Sequence, residues 1–159
     1  MTLDDDAELS APEVLREMLD ALVGAFALEA EVAVEEVDGV LTGAVNGNDV
    51  QALVGEGGSV LDAIQHLAQR IVLRGGEGLR VVVDAGGYRE RREAELRVEA
   101  DVAAAAAVAE GKEIALSPMP AAERRFVHEH LRERGDVETH SEGEEPRRCL
   151  VVAPRDLPG

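Results

Sequence analysis

Aromatic residues are scarce in this sequence: one tyrosine, two phenylalanines and no tryptophan among 159 residues. A buried core must therefore be built mainly from aliphatic side chains and alanine, and a hydrophobic content of 45% is enough to form one. A chain of this length suits one domain or two small ones.

Cysteine and long apolar runs are also scarce. Cys149 is the single cysteine, so no internal disulfide can form, which fits a reducing cytoplasm. No apolar run approaches the roughly 18 residues of a membrane span. The first residues, MTLDDDAELS, lack the basic and apolar regions of a signal peptide. We therefore expect a cytoplasmic protein without membrane insertion.

Basic residues are outnumbered: 16 Lys and Arg face 33 Asp and Glu, which gives a formal net charge of -17. The excess is uneven, because residues 1–38 hold 12 acids and one base, whereas residues 119–159 hold 9 acids and 7 bases. Sequence-independent binding of nucleic acid depends on neutralising phosphates with Lys and Arg. The overall charge argues against such binding, but the last quarter of the chain does not share the excess.

The first third of the chain predicts a helix followed by two antiparallel strands. Ser10 and Glu13 form a capping box before an apolar stripe of helical period. Asp38-Gly39 is a strong signal for a tight turn, and Val40–Gly47 is the returning strand. The stripe predicted to be buried consists of Leu15, Met18, Leu19, Leu22 and Phe26.

A glycine loop lies between two further predicted helices. A short helical piece, Asn48–Val54, leads into Gly55-Glu56-Gly57-Gly58, and Ser59 is a candidate cap for the next helix. That helix should end at Gly75-Gly76, before the strand Leu79–Asp84. Its predicted buried side is formed by Leu61, Ile64, Leu67, Ala68 and Ile71.

The position of this loop decides what it can hold. Nucleotide-binding loops follow a strand, and the nucleotide-hydrolase kind also needs a Lys-Ser/Thr pair. Both features are missing here. Glycines remain informative, because a Cβ would keep a phosphate away from the backbone N–H groups at the helix start. The competing interpretation is that these glycines only form a tight turn between two helices.

The order helix-strand-strand-helix-GxxG-helix-strand resembles the type II K-homology (KH) domain. The resemblance implies that Gly55, Glu56, Gly57 and Gly58 lie against the backbone of single-stranded nucleic acid. The predicted fold class is therefore α+β.

The second half begins with a basic helix and ends in a small α/β region. Arg89 and Arg92 belong to the basic run GYRERRE and are further candidates for phosphate contacts, although interleaved glutamates also suit a solvated helix. Arg124 and His128, in AAERRFVH, lie one turn apart on a predicted helix. Arg124 is the candidate phosphate contact, and His128 is equally suited to bracing the fold. Arg125 lies about 100° round the helix.

The motifs GYRERRE, SPMPAAERRFVH and DVETHSEGE, together with the upstream unit, are similar to the KhpB family, also called Jag or SpoIIIJ-associated proteins. The resemblance implies an acidic tail at 1–10, a KH domain at 11–85, a connecting helix at 86–111 and an Arg-x-x-x-His (R-three-H) domain at 112–155. Many members carry another N-terminal domain, which we expect to be absent here.

This resemblance implies a cytoplasmic protein that binds single-stranded RNA at the glycine loop and at Arg124, Arg125 and His128, and that acts in the control of cell shape and envelope. The choice between RNA and DNA is left open. The implied protein partner is a small KH-only protein, with self-association as the other option.

Glu56 supports a competing hypothesis. A carboxylate about 5–6 Å from a phosphate costs about 0.7 kcal/mol at the dielectric constant of water and about 3 kcal/mol at an effective value of 20. The helix dipole contributes only about 0.3–1 kcal/mol there. The alternative is a protein-interaction scaffold with weak RNA binding.

No arrangement of residues predicts catalysis, a cofactor or a metal site. His128 and His130 are two apart on a helix and face different ways, and Cys149 has no second cysteine to join it.

Overall fold

The chain forms two compact units, of which the first runs to Arg89 and the second begins at Glu90. A computed structural model describes residues 8–74 and 78–156. Each unit combines helices with a three-stranded sheet, which confirms the α+β class.

The first unit has the predicted order of elements. Strand β1 is antiparallel to β2, and β2 is parallel to β3, so β2 lies in the middle of the sheet. The elements are α1 (Ala11–Ala25), β1 (Ala30–Val37), β2 (Val40–Gly47), α2 (Gln51–Val54), a 3₁₀ turn (Glu56–Gly58), α3 (Ser59–Val72) and β3 (Arg80–Ala85).

Helix α1 begins at the predicted capping box. The Ser10 backbone N–H and hydroxyl donate to the Glu13 carboxylate at 2.8 and 2.7 Å. These hydrogen bonds hold the pKa of Glu13 below its usual value, and the bond from the hydroxyl has the larger effect. Leu15 and Leu19 are buried as predicted, but Phe26 is 48% exposed. The helix ends at Ala25, so Phe26 falls in the cap and leaves the apolar stripe.

The hairpin between β1 and β2 is the predicted one. Asp38 and Gly39 have φ angles of 49° and 77°, the left-handed pair that suits a two-residue hairpin. Val37 pairs directly with Val40 across this turn.

Helix α3 packs on the sheet through a narrower face than its sequence predicts. Ile64 and Ala68 are buried, whereas Leu67 and Ile71 are 52% and 41% exposed. The Gln65 side chain donates to the Val81 carbonyl and accepts from the Val83 amide, which fixes α3 against β3. The helix ends at Val72, and the predicted stop at Gly75-Gly76 lies outside the described residues.

The second unit is built around a long helix. Its strands form an antiparallel sheet in the order β4-β6-β5. Leu96 and four alanines of α4 are buried in the core of this unit. The elements are α4 (Tyr88–Glu110), β4 (Ile114–Ala115), α5 (Ala121–Arg132), β5 (Val137–Glu142) and β6 (Cys149–Pro154). None of the described helices is long and apolar enough to cross a membrane.

Two glycines of the first unit should respond oppositely to alanine. A Cβ at Gly43 on β2 would lie 2.6 Å from Leu19 Cδ1 in the core, so Gly43→Ala should destabilise the unit by about 1–3 kcal/mol. A Cβ at Gly24 in α1 meets nothing within 4 Å, so Gly24→Ala should stabilise it by about 0.5–1 kcal/mol. Urea unfolding followed by circular dichroism measures both. Equal effects would contradict the tight packing of α1 on β2.

Candidate nucleic-acid interface

The glycine loop has a backbone that favours glycine at three positions. Gly55, Gly57 and Gly58 have φ angles of 73°, 60° and 80°, which side chains with a Cβ rarely adopt. The amide of Gly58 donates to the Gly55 carbonyl at 3.4 Å, which closes the turn between α2 and α3.

The surroundings separate the roles of these glycines. A Cβ at Gly55 would lie 2.4 Å from Val60 Cγ2, and one at Gly58 would lie 2.9 Å from the Tyr88 ring. A Cβ at Gly57 would meet nothing within 4 Å, and both Glu56 and Gly57 are exposed. The Glu56-Gly57 pair is therefore the part of the loop that a ligand can reach.

Ser59 does not cap α3, contrary to the sequence-based expectation. The N-cap is Gly58, in the left-handed conformation, and Ser59 is the first helical residue. A glycine that turns the chain left-handed takes the place that a capping side chain would otherwise fill.

The two arginines predicted as further phosphate contacts have partners within the protein. The Arg89 Nε donates to the Val83 carbonyl at 2.7 Å, and its Nη1 lies 3.5 Å from Asp62 Oδ1. The Arg92 guanidinium makes two bonds of 3.0 Å to Glu123, which raise the pKa of Arg92 and tie α4 to α5. Both guanidinium groups are thus used to hold elements together.

Arg124 is the buried residue of the Arg-x-x-x-His pair. It is 8% exposed, and its Nη1 donates to the carbonyls of Met119 and Arg148 at 3.3 and 3.4 Å. Its Nη2 donates to Glu145 Oε1 at 2.6 Å. Arg124 therefore joins the start of α5 to the segment that leads into β6.

His128 and Arg125 occupy the surface instead. His128 is exposed and shares a hydrogen bond between its Nδ1 and the Thr139 hydroxyl on β5. The Arg125 side chain is 81% exposed, with its Nε 3.1 Å from Glu129. Arg124 is thus buried among internal partners, whereas His128 and Arg125 are exposed.

These three residues line one open depression of about 460 Å³ between α5 and the β5–β6 segment. Its lining is polar and rich in cationic groups, and the sequence reasoning did not identify Arg148, Thr139 or His140 as part of it. Periodicity could have found Thr139 and Ser141, since alternate residues of a strand share a face. The depression is lined by Ala121, Arg124, Arg125, His128, Thr139, His140, Ser141, Arg148 and Leu150.

One cluster of metal-ligand types also occurs among the described residues. Ligand atoms of Glu113, His140 and Glu142 lie within 4.8 Å of one another. All three side chains are exposed, and His140 is hydrogen-bonded to Glu142 at 2.9 Å. Exposed carboxylates often lie this close on an acidic protein, so we assign no metal to the cluster.

Comparison with known proteins gives matches to both units. The R-three-H domain model matches residues 93–154, within the second unit. RNA-binding protein KhpB of Lactiplantibacillus plantarum is 41% identical over 104 residues, 65% of this chain and 32% of that protein. Proteins of the same name from Clostridium symbiosum and Bacillus subtilis are 31% identical, over 90% and 85% of this chain and 64% and 66% of theirs. The chain thus spans about one third to two thirds of the length of these relatives.

Neighbouring arginines on α5 should differ sharply in their effect on stability. Arg124→Ala removes the guanidinium donor from the Met119 and Arg148 carbonyls and from Glu145, and the Arg148 carbonyl keeps a second donor, the Met119 amide. It should therefore lower the free energy of unfolding by about 1–3 kcal/mol. Arg125→Ala removes only an exposed pair and should change it by no more than about 0.5 kcal/mol. Urea titration of the two variants measures the difference, and a mild effect of Arg124→Ala would contradict its bracing role.

Proposed function

Since the chain belongs to the KhpB family, we propose that it binds single-stranded RNA at two sites, the glycine loop and the depression beside α5. The observation that carries the proposal is the lining of that depression. Three arginines and two histidines meet there in a chain whose net charge is -17. Cationic and hydrogen-bonding side chains of this kind are what contacts to phosphate and sugar require.

In the second unit, the proposed contacts are the side chains at the surface. Arg125 and His128 are exposed and can reach a phosphate or a base. Arg124 contributes mainly by position, because its guanidinium is already bonded on both of its Nη atoms. Its internal hydrogen bonds fix the part of α5 that carries Arg125 and His128.

In the first unit, we propose that the loop acts as the GxxG turn of a KH domain. The exposed Glu56-Gly57 pair precedes the first turn of α3, where the positive end of the helix dipole favours an anion. Glu56 opposes that attraction, so this site is expected to be the weaker of the two. Arg89 and Arg92 support the two sites as structural residues of their units.

The biological role implied by the family is proposed together with RNA binding. This role is a cytoplasmic, non-catalytic regulator of cell shape and envelope that works with a KH-only protein. Recognition of RNA over DNA depends on contacts to the 2′-OH, for which the polar side chains of Thr139 and Ser141 are suitable.

A second candidate is a protein-interaction scaffold that binds RNA weakly. It is favoured by the exposed Leu67 and Ile71, one turn apart on α3, and by Glu56 in the loop. Apolar side chains at such spacing suit a partner helix or a second copy of the chain.

Fluorescence anisotropy with a short labelled single-stranded RNA tests the first candidate. Binding should weaken as salt rises, because phosphate contacts release counterions. No binding at low salt, with a stable complex with a KH-only protein or with itself in size-exclusion chromatography, would favour the scaffold.

Substitutions in the loop show whether it contacts RNA. Gly57→Asp places a carboxylate at the open position and should weaken binding at least severalfold, whereas Gly57→Asn, of the same size and tolerant of positive φ, should weaken it less. Glu56→Gln should strengthen binding by up to about tenfold, or 1.4 kcal/mol. If all three variants bind like the unaltered chain, the loop is not in contact.

A further inference from the structure

A second, smaller depression lies directly beside the first. It has a volume of about 110 Å³. His128 and Thr139 line both depressions, so the hydrogen bond between them forms a shared wall. The smaller one is lined by His128, Leu131, Arg132, Val137, Glu138, Thr139 and Arg155.

The arginines of this second depression differ from those of the first in their internal partners. In the larger depression Arg124, Arg125 and Arg148 all bond to carboxylates or backbone carbonyls. By contrast, the exposed guanidinium groups of Arg132 and Arg155 have no hydrogen bond or ion pair with any residue in 8–74 or 78–156. Glu138 is the one acidic residue in the lining of the second depression.

Helical geometry aligns this depression with the Arg-x-x-x-His pair. Arg124, His128 and Arg132 follow one another at intervals of four residues on α5, so they lie along one face of the helix. Arg132 is the last residue of α5, and Arg155 directly follows the end of β6. The end of α5 and the end of β6 thus each bring one of these guanidinium groups to the smaller depression.

We propose that Arg132 and Arg155 form a further phosphate-binding site and that a single RNA strand passes His128 from the larger depression into the smaller one. This inference rests on the proposed RNA binding. An unpaired guanidinium loses no internal partner when it binds a phosphate, and it offers two parallel N–H donors. These two residues therefore contribute more to the salt dependence of binding than the paired Arg125 or Arg148.

Replacement of both arginines by glutamine tests the proposal. In anisotropy titrations at several salt concentrations, the double variant Arg132→Gln/Arg155→Gln should bind RNA about tenfold more weakly at low salt. The slope of log K against log salt should fall by about 0.7 for each phosphate contact that is lost. The thermal unfolding midpoint should change little, since neither side chain has a hydrogen bond or ion pair to lose within residues 8–74 and 78–156.

Two matched variants serve as controls. Lys112→Gln removes a cation that is also unpaired among the described residues of the second unit but lines neither depression, so affinity and slope should stay as they are. A further test variant, Glu138→Gln, removes the carboxylate in the lining of the smaller depression and should tighten RNA binding severalfold. Its control is Glu110→Gln, at the exposed end of α4, which should leave the affinity unchanged.

The outcomes separate this inference from the proposed function. A double variant that binds like the unaltered chain, while Arg125→Gln or Gly57→Asp weakens binding, overturns the further site and leaves RNA binding intact. If Lys112→Gln weakens binding as much as the double variant, the effect is one of net charge and the site is also overturned. No RNA binding by the unaltered chain at low salt overturns both.

Discussion

The buried guanidinium of Arg124 is the interaction on which the second unit depends. Its partners are the carbonyl of Met119 before α5, the carbonyl of Arg148 before β6 and the carboxylate of Glu145 between β5 and β6. Met119 is far in sequence from the other two, and Arg148 lines the larger depression together with Arg124. Because buried carbonyls are costly to leave unpaired, one side chain fixes both the packing of α5 and the shape of the surface beside it.

This arrangement shows how cationic side chains can be gathered locally on an acidic chain. Exposed charges farther apart than about 8–10 Å are largely screened at physiological salt. Within the second unit, the charge beside α5 therefore depends on which arginines have a carboxylate partner. Glu145 and Glu129 already neutralise Arg124 and Arg125, respectively. The proposed attraction of phosphate therefore depends on how many guanidinium groups lack an internal partner. Net charge does not reveal that number.

The sequence was most informative where local backbone chemistry decides the structure. Asp38-Gly39 and the alternating residues around it predicted the hairpin, and the bounds of β2 agree with the prediction at both ends. Ser59 shows the limit of such rules, because a cap preference was overridden by a left-handed glycine next to it. The predicted burial of Phe26 was wrong for a related reason. The helical period predicts which face is buried but not the residue at which the helix ends.

The sequence predicts the helix face that the Arg-x-x-x-His pair shares, but not how deeply each of the two residues is buried. A spacing of four places Arg124 and His128 on one face of α5, and the structure confirms this. Spacing carries no information on depth, however, and depth is what makes Arg124 a brace and leaves His128 exposed. Arg148 and Arg155 flank β6 and line the larger and the smaller depression, respectively. Their proximity depends on how the sheet packs against α5, which no local pattern encodes.

The glycine loop shows why a motif can persist without proving its function. Gly55 and Gly58 are needed by the fold itself, because a Cβ at either position would meet Val60 or Tyr88. A protein that had lost RNA binding would still have to keep them. Gly57 differs, since the space beside it is open and only its φ of 60° favours glycine. Asparagine tolerates such a φ at modest cost. The residues that report on a ligand in this loop are therefore Glu56 and Gly57, and of these Glu56 disfavours a phosphate.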